Sequence, residues 1–382
     1  MENLIVCLSD FDARVRQESF QKLLSCIKKG KIVAQRQYAG WLNLHLHTFH
    51  SFNYRGWSPA RVVFEAWRTG LVWVGTVDFD TLEGLEETLT VARTLRVKAA
   101  GGLESRVFVP EYRNLVINSP KEPGIFYLCG QGFSSFPREK SEEGKFFYRL
   151  KNMAQARNLM VIERVNRFLG EISLNYQEHV LPLTPSGNPT ERHIVMAYQI
   201  VSEAKLGAKV DAFWSEILQR PQQEIASLRK NKPQDFQELL RTRLIKYGGP
   251  GYVEPEEKLF PSLKEVVAGM EKAGGIPIGT WLDGTSEGEK DTELFLNFFL
   301  SQGIKGMAII PERNWHISDL EEKKLKVARL KNFLQACQHM KVPVICGTEM
   351  NKAGQPFVDD FNQPVLAEYL PYFIHSARIL FA

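Results

Sequence analysis

The chain has 382 residues, 44% apolar and 24% charged, the make-up of a globular protein long enough for one barrel carrying insertions. Lys and Arg number 48 against 44 Asp and Glu, and this formal charge of +4, with no concentrated basic segment, argues against a nucleic-acid-coating protein. Five scattered cysteines without a CxxC pair argue against a disulfide framework or a zinc ribbon, and no apolar run approaches the roughly 18 residues of a membrane span. A start without a basic n-region, with its apolar run broken at Ser9 and Asp10, reads as no signal peptide, so a reduced, cytoplasmic setting is the expectation.

In chain order, residues 9 to 28 predict an amphipathic helix with Ser9 as N-cap and Phe20, Leu23, Leu24 and Ile27 on one face. From Trp41, WLNLHLHT alternates apolar and polar residues at a strand's period of two. Ser58, Pro59 and Gly70 then cap, start and stop a helix. LVWVGTVDF reads as a strand, LEGLEETLTVARTL as a helix, and AAGGLESRVFV and GIFYLCG as two more strands. The rhythm breaks near Gly132 and resumes near Pro261 with a helix, then IPIGTWL, a helix, GIKGMAII, a long helix and VPVICGTE.

Seven strands alternating with helices predict an α/β protein whose strands run parallel through right-handed crossovers. The expected organisation is a helical extension over 1–40, barrel segments over 41–132 and 261–382 with a C-terminal helix, and a polar helical insertion over 133–260.

The chemistry-bearing residues fall at strand ends. His45 and His47, two apart on one strand, project to the same side and would form half of a metal site. Asp78 and Asp80 end the second strand, Glu104 lies on the third, and Glu349 and Asn351 follow the last. Carboxylates at successive strand ends of a parallel barrel converge on its mouth, where barrel active sites lie. The plain alternative is two histidines on a surface strand with acids as helix caps, Asp80 first among these.

NLHLHTFHS followed by SPARVVFEAWRTGLVWVGTVDFDTLEG resembles the opening of the PHP (polymerase-and-histidinol-phosphatase) family. That opening has a D-x-H-x-H-T strand, a Ser-Pro helix ending in Gly-Leu and a strand reading T-D-H-D-T-L-x-G. GGLES resembles the family's G-x-E strand. TERHIVMAY and KYGGPGYVEPEEKLFPSLKEVVAGMEKAGGIPIGTW resemble one branch in particular, the nucleotide phosphatases and 5′-3′ exoribonucleases with a helical insertion. The resemblance runs from residue 41 to about 365. It implies a distorted seven-stranded (β/α) TIM-like barrel, the PHP fold, with a helical insertion subdomain and metal-dependent phosphoesterase chemistry.

Departures from the pattern are part of the reading. Asn43, Phe79, Tyr127 and Trp281 stand where the family has ligands, and Thr348-Glu349-Met350-Asn351 replaces its closing S-D-x-H. His45, His47 and Glu104 remain, with Asp78, Glu349 and Asn351 as further ligand candidates, enough for one or two divalent ions (Zn, Mn or Fe) but not for a trinuclear cluster. Asp78 or Glu349 would serve as general base. Arg55, Arg106, Arg192 and Lys352 are candidate contacts for a substrate phosphate, with surface ion pairs as the alternative for the arginines. Arg192 falls one position after the family's arginine, which aligns with Glu191, and His193 shares its helix. His50 is expected to be solvated, and His316, His339 and His375 to be structural.

Two functions follow. One is a divergent phosphoesterase acting on a phosphorylated small molecule or nucleotide. The other is a non-catalytic barrel without metal, binding a ligand or partner at a mouth made apolar by its aromatic substitutions. A nucleic-acid partner would need a salt-dependent affinity that the weak charge disfavours, and no membrane partner is expected.

Overall fold

The computed structural model describes residues 1–382. Two helices open the chain, α1 (Glu2–Cys7) and α2 (Ala13–Lys28). The cap of the second is Asp12, whose carboxylate accepts from the Arg14 N–H, and not Ser9 as the sequence suggested. Ser9 lies in the break between the helices, where its hydroxyl accepts from the Ser58 N–H.

The strands β1 (Leu42–Leu46), β2 (Trp73–Phe79), β3 (Lys98–Phe108), β4 (Ile125–Gln131), β5 (Ile276–Trp281), β6 (Gly306–Ile309) and β7 (Val344–Cys346) pair in chain order in one sheet. A parallel bridge from Leu46 to Glu349 joins its two edges, with the His47 N–H on the Glu349 carbonyl and the Glu349 N–H on the His45 carbonyl, both at 2.8 Å. The result is a nearly closed seven-stranded α/β barrel. Closure is tight, because a Cβ on Gly347 would lie 2.3 Å from the Asn43 side-chain oxygen.

The expectation of uniformly parallel strands is corrected at β4, which runs antiparallel to both β3 and β5. Between β3 and β4 the chain makes one 3₁₀ turn, Pro110–Tyr112, and no crossover helix. Without a crossover the chain returns as a hairpin, whose strands run antiparallel.

Helices α3 (Pro59–Thr69) and α4 (Leu85–Leu95) link β1 to β3, and Ser58 caps the first of them as its sequence predicted. After β4 come α5 (Glu142–Leu169), α6 (Glu191–Leu206), α7 (Val210–Leu218), α8 (Gln222–Asn231) and α9 (Pro233–Leu244). The return to the barrel carries α10 (Leu263–Lys272), α11 (Thr292–Ser301), the short α12 (Glu312–Trp315), α13 (Leu320–His339), α14 (Pro364–Ala367) and α15 (Leu370–Phe381).

Two hydrophobic cores result. The barrel and its helices share 60 buried apolar residues, and α5–α9 enclose a separate set of 19 around Trp214, Phe236 and Tyr198. Helix α5 belongs to both, burying Phe147 and Leu150 in the first and Val161, Val165 and Leu169 in the second. Polar ties fasten the inserted segment to the loop after β1 and to the end of β2. The Asn188 amide donates to the carbonyls of His50 and Phe79, and the Gln234 amide to that of Tyr54.

Candidate metal centre

Alternation along β1 sends Leu42, Leu44 and Leu46 into the apolar packing and brings His45 and His47 to one point within the barrel. Glu104 joins them from β3. Its Oε2 lies 3.7 Å from His45 Nε2 and 3.3 Å from His47 Nε2. The candidate ligand atoms lie within 4.8 Å of one another. Side-chain exposure is 1%, 0% and 4%, and neither Nε2 nor Oε2 has a hydrogen-bond partner.

A single buried polar atom left unsatisfied costs about 1–3 kcal/mol, so three converging ones without a partner outside their own set make a candidate cation site. Two imidazoles with one carboxylate suit Zn, Mn or Fe. Burial works against the charge of Glu104, but the adjacent imidazoles of His45 and His47 overcome it and hold its carboxyl at about 2. The carboxylate is therefore ready to ligate at neutral pH.

Asp78, a candidate ligand and base, stands one step behind. Its Oδ1 accepts from the Thr48 N–H and the Ser51 hydroxyl, both at 2.7 Å, and its Oδ2 from the Thr48 hydroxyl at 2.6 Å. Both oxygens are occupied. Glu349 accepts from Arg313 Nη2 at 3.0 and 2.7 Å and from the Gln355 amide at 3.0 Å. Burial opposes its ionisation, but the Arg313 guanidinium prevails and lowers its pKa. Its backbone is left-handed, φ 64°, as the chain turns out of the closing bridge. Asn351 lies two residues farther on, half-buried and outside the converging set.

Two aromatic side chains border the histidines. Phe79 stacks on His47 with centroids 4.4 Å apart and planes at 26°, and Tyr127 lies 6.3 Å from Phe79. The third substituted aromatic behaves otherwise. Trp281, expected at the mouth, stacks on Phe333 of α13 at 4.4 Å and 11°, which places it in the outer helix layer. Asp80 is not a helix cap, since α4 begins after Gly84. It accepts instead from the Ser105 hydroxyl and lies 3.6 Å from Arg157.

The cationic candidates are dispersed. Arg106 makes two hydrogen bonds to Glu122, at 3.2 and 3.0 Å, and lies over Phe260. Arg192 pairs with Glu238 at 2.8 Å and lies over Phe52, while Arg55 lies over Tyr54 and Trp57. Arg192 and the exposed Lys352 line a cavity of about 400 Å³ between the loops after β1 and β7 and the inserted helices. His193 closes the N-terminus of α6, its Nδ1 accepting from the Thr190 N–H, and burial pushes its pKa down to about 3. It is a neutral cap.

The solvated His50 of the sequence reading is corrected. Inserted residues cover it, its Nδ1 lies 3.0 Å from the Ser186 hydroxyl, and it is only 7% exposed. Sequence reasoning also passed over Ser51, Thr48 and Arg313. Arg313 follows β6 after three residues, at the end of a barrel strand where functional side chains gather. That placement was the available signal.

No protein-family model matches the sequence, nor does any curated protein. Among solved structures, the chain is similar to a proposed metal-dependent phosphoesterase from Bifidobacterium adolescentis. That match has 17% identity and a TM-score of 0.52, and it covers 87% of this chain and 96% of that one. A second is an amidohydrolase from Chromobacterium violaceum solved with bound sulfate and no metal. Here identity is 13% and the TM-score 0.54, with 85% of this chain and 96% of that one covered. At these identities the likeness is one of fold, and the chain is an α/β barrel of the architecture found in those two hydrolases.

Proposed function

We propose that the barrel mouth is a hydrolytic metal centre, in which His45 Nε2, His47 Nε2 and Glu104 Oε2 hold one divalent ion for cleavage of a phosphorylated small molecule or nucleotide. The observation that carries this reading is the convergence of three buried donor atoms that lack any other partner. A divalent ion held by these three residues would supply Lewis acidity and activate water for attack at neutral pH.

The chain's own residues do the rest. Asp78 and Glu349 are the two carboxylates that could accept a proton, and each has both oxygens hydrogen-bonded, Asp78 to Thr48 and Ser51 and Glu349 to Arg313 and Gln355. Arg313 holds Glu349 ionised, and its guanidinium, with 42% of the side chain exposed, remains open to a phosphate oxygen. Phe79, against the face of His47, keeps bulk water from that side of the centre. Tyr127 stays protonated, since burial raises its pKa, and offers a neutral hydroxyl donor.

Elemental analysis of the protein purified without chelators tests the proposal beside a His45→Ala/His47→Ala double variant. About one equivalent of Zn, Mn or Fe in the wild type alone is expected. Phosphate release from a phosphoester panel should disappear with it. No stoichiometric metal in either protein would overturn the reading. The Phe79–Tyr127 wall favours the second reading, a ring-binding site without turnover, which would show as ligand affinity in a metal-free wild type.

A further inference from the structure

We infer that Ser51 is a positioning residue of this centre, whose hydroxyl fixes the proton of His47 on Nδ1 and so presents Nε2 to the ion. The inference rests on the metal reading above.

Ser51 Oγ lies 3.1 Å from His47 Nδ1 and 2.7 Å from Asp78 Oδ1. A serine hydroxyl has one proton to give, and a carboxylate can only accept. If Ser51 gave that proton to His47, its oxygen would face the Asp78 carboxylate at 2.7 Å with lone pairs on both sides. The proton therefore belongs on the Asp78 side, and the serine lone pairs receive the His47 N–H. Asp78 is itself pinned by both donors of Thr48, so the acceptor end of the relay cannot turn away. Ser51 and His47 are 0% exposed, and no solvent competes for these bonds.

The relay belongs to one histidine only. His45 Nδ1 has the Cys129 thiol at 3.9 Å as its side-chain neighbour, and sulfur is a weak partner at that distance. Burial raises the pKa of Cys129 well above the usual thiol range, so the group stays neutral. Of the two imidazoles, only His47 has its ligating tautomer set by a hydrogen-bonded relay to a carboxylate. Partners that orient a ligating histidine in this way typically change metal affinity by about 10–100-fold when removed.

The test compares wild type, Ser51→Ala and Ser51→Thr by zinc affinity against a chelator and by heteronuclear NMR of imidazole N–H protons in the zinc-loaded proteins. Expected is a loss of about 10–100-fold in affinity for Ser51→Ala, with most of it restored by threonine, which keeps the hydroxyl. The His47 Nδ1 proton, held by Ser51, should give a downfield signal in wild type and Ser51→Thr and none in Ser51→Ala. A structural role alone would not remove that signal selectively. Unchanged affinity, or a persisting signal in Ser51→Ala, overturns the inference and leaves the metal centre standing. Absence of zinc binding in the wild type overturns both.

Discussion

The two sides of the barrel mouth differ. On the side of β1 to β3, strand ends deliver every converging donor, His45, His47 and Glu104, with Asp78, Thr48 and Ser51 fastened behind them. On the side of β5 to β7, the corresponding residues have other partners. Trp281 packs on Phe333 in the helix layer, and Glu349 is tied to Arg313 and Gln355. The three converging donor atoms without other partners all lie on the first side. One flank holds three converging donors, while the other is packing and ion pair.

The comparison breaks most readily at Glu104. Glu104→Ala should abolish stoichiometric metal, measured by elemental analysis, because two imidazoles alone make a poor site. Retained metal would mean that Glu349 or Asp78 ligates and that the flanks are not so unequal.

Trp281→His sharpens the contrast from the opposite flank. The new imidazole would lie among the helices, so metal content should not rise. Loss of the stacked, fully buried indole should cost about 3 kcal/mol in denaturant unfolding, as for other large-to-small core changes. A gain of metal would show that this strand can turn toward the mouth.

Arg313→Ala comes next, with an expected loss of about 1–2 kcal/mol, since it leaves a buried carboxylate without its cation. The pH dependence has a defined sign. Glu349 has a depressed pKa in the folded chain, so its contribution is present above the ordinary carboxylate range and is lost as the pH falls through the folded value. Wild type should lose stability relative to Arg313→Ala on acidification, as read from paired unfolding curves. Glu104 follows the same rule in the metal-free protein, with stability present above 4.5 and lost as the pH falls toward about 2.

The smallest effect is expected at Lys352→Ala. This side chain is exposed and lines the cavity without an ion pair, so stability should change by less than about 0.5 kcal/mol. A larger change would assign the cavity a structural role.

Much of this was legible in the sequence. The i, i+2 histidines were legible because strand alternation fixes their common facing, and Glu104 stood among the carboxylates named at later strand ends. Ser58, Pro59 and Gly70 bounded α3 through cap chemistry that is local by nature. What stayed hidden depended on contacts between distant segments. GIFYLCG carries no mark of its direction, so the antiparallel course of β4 was invisible. The burial of His50 awaited Ser186 and Asn188, more than a hundred residues away. The Ser51 relay required Asp78 to arrive from another strand. Trp281 occupied the expected place in a motif, yet its orientation was set by Phe333 of a helix some fifty residues later.

Helix α5 has a consequence for how the molecule comes apart. Its 28 residues pass from one hydrophobic core into the other without a break. Melting the inserted helices would strip the far half of α5 of its packing and leave a long apolar face in water. Fraying back toward the barrel would then expose Leu150 and Phe147. Neither core can dissolve while the other keeps its full complement, so the opening of the inserted helices and of the barrel should be coupled through α5.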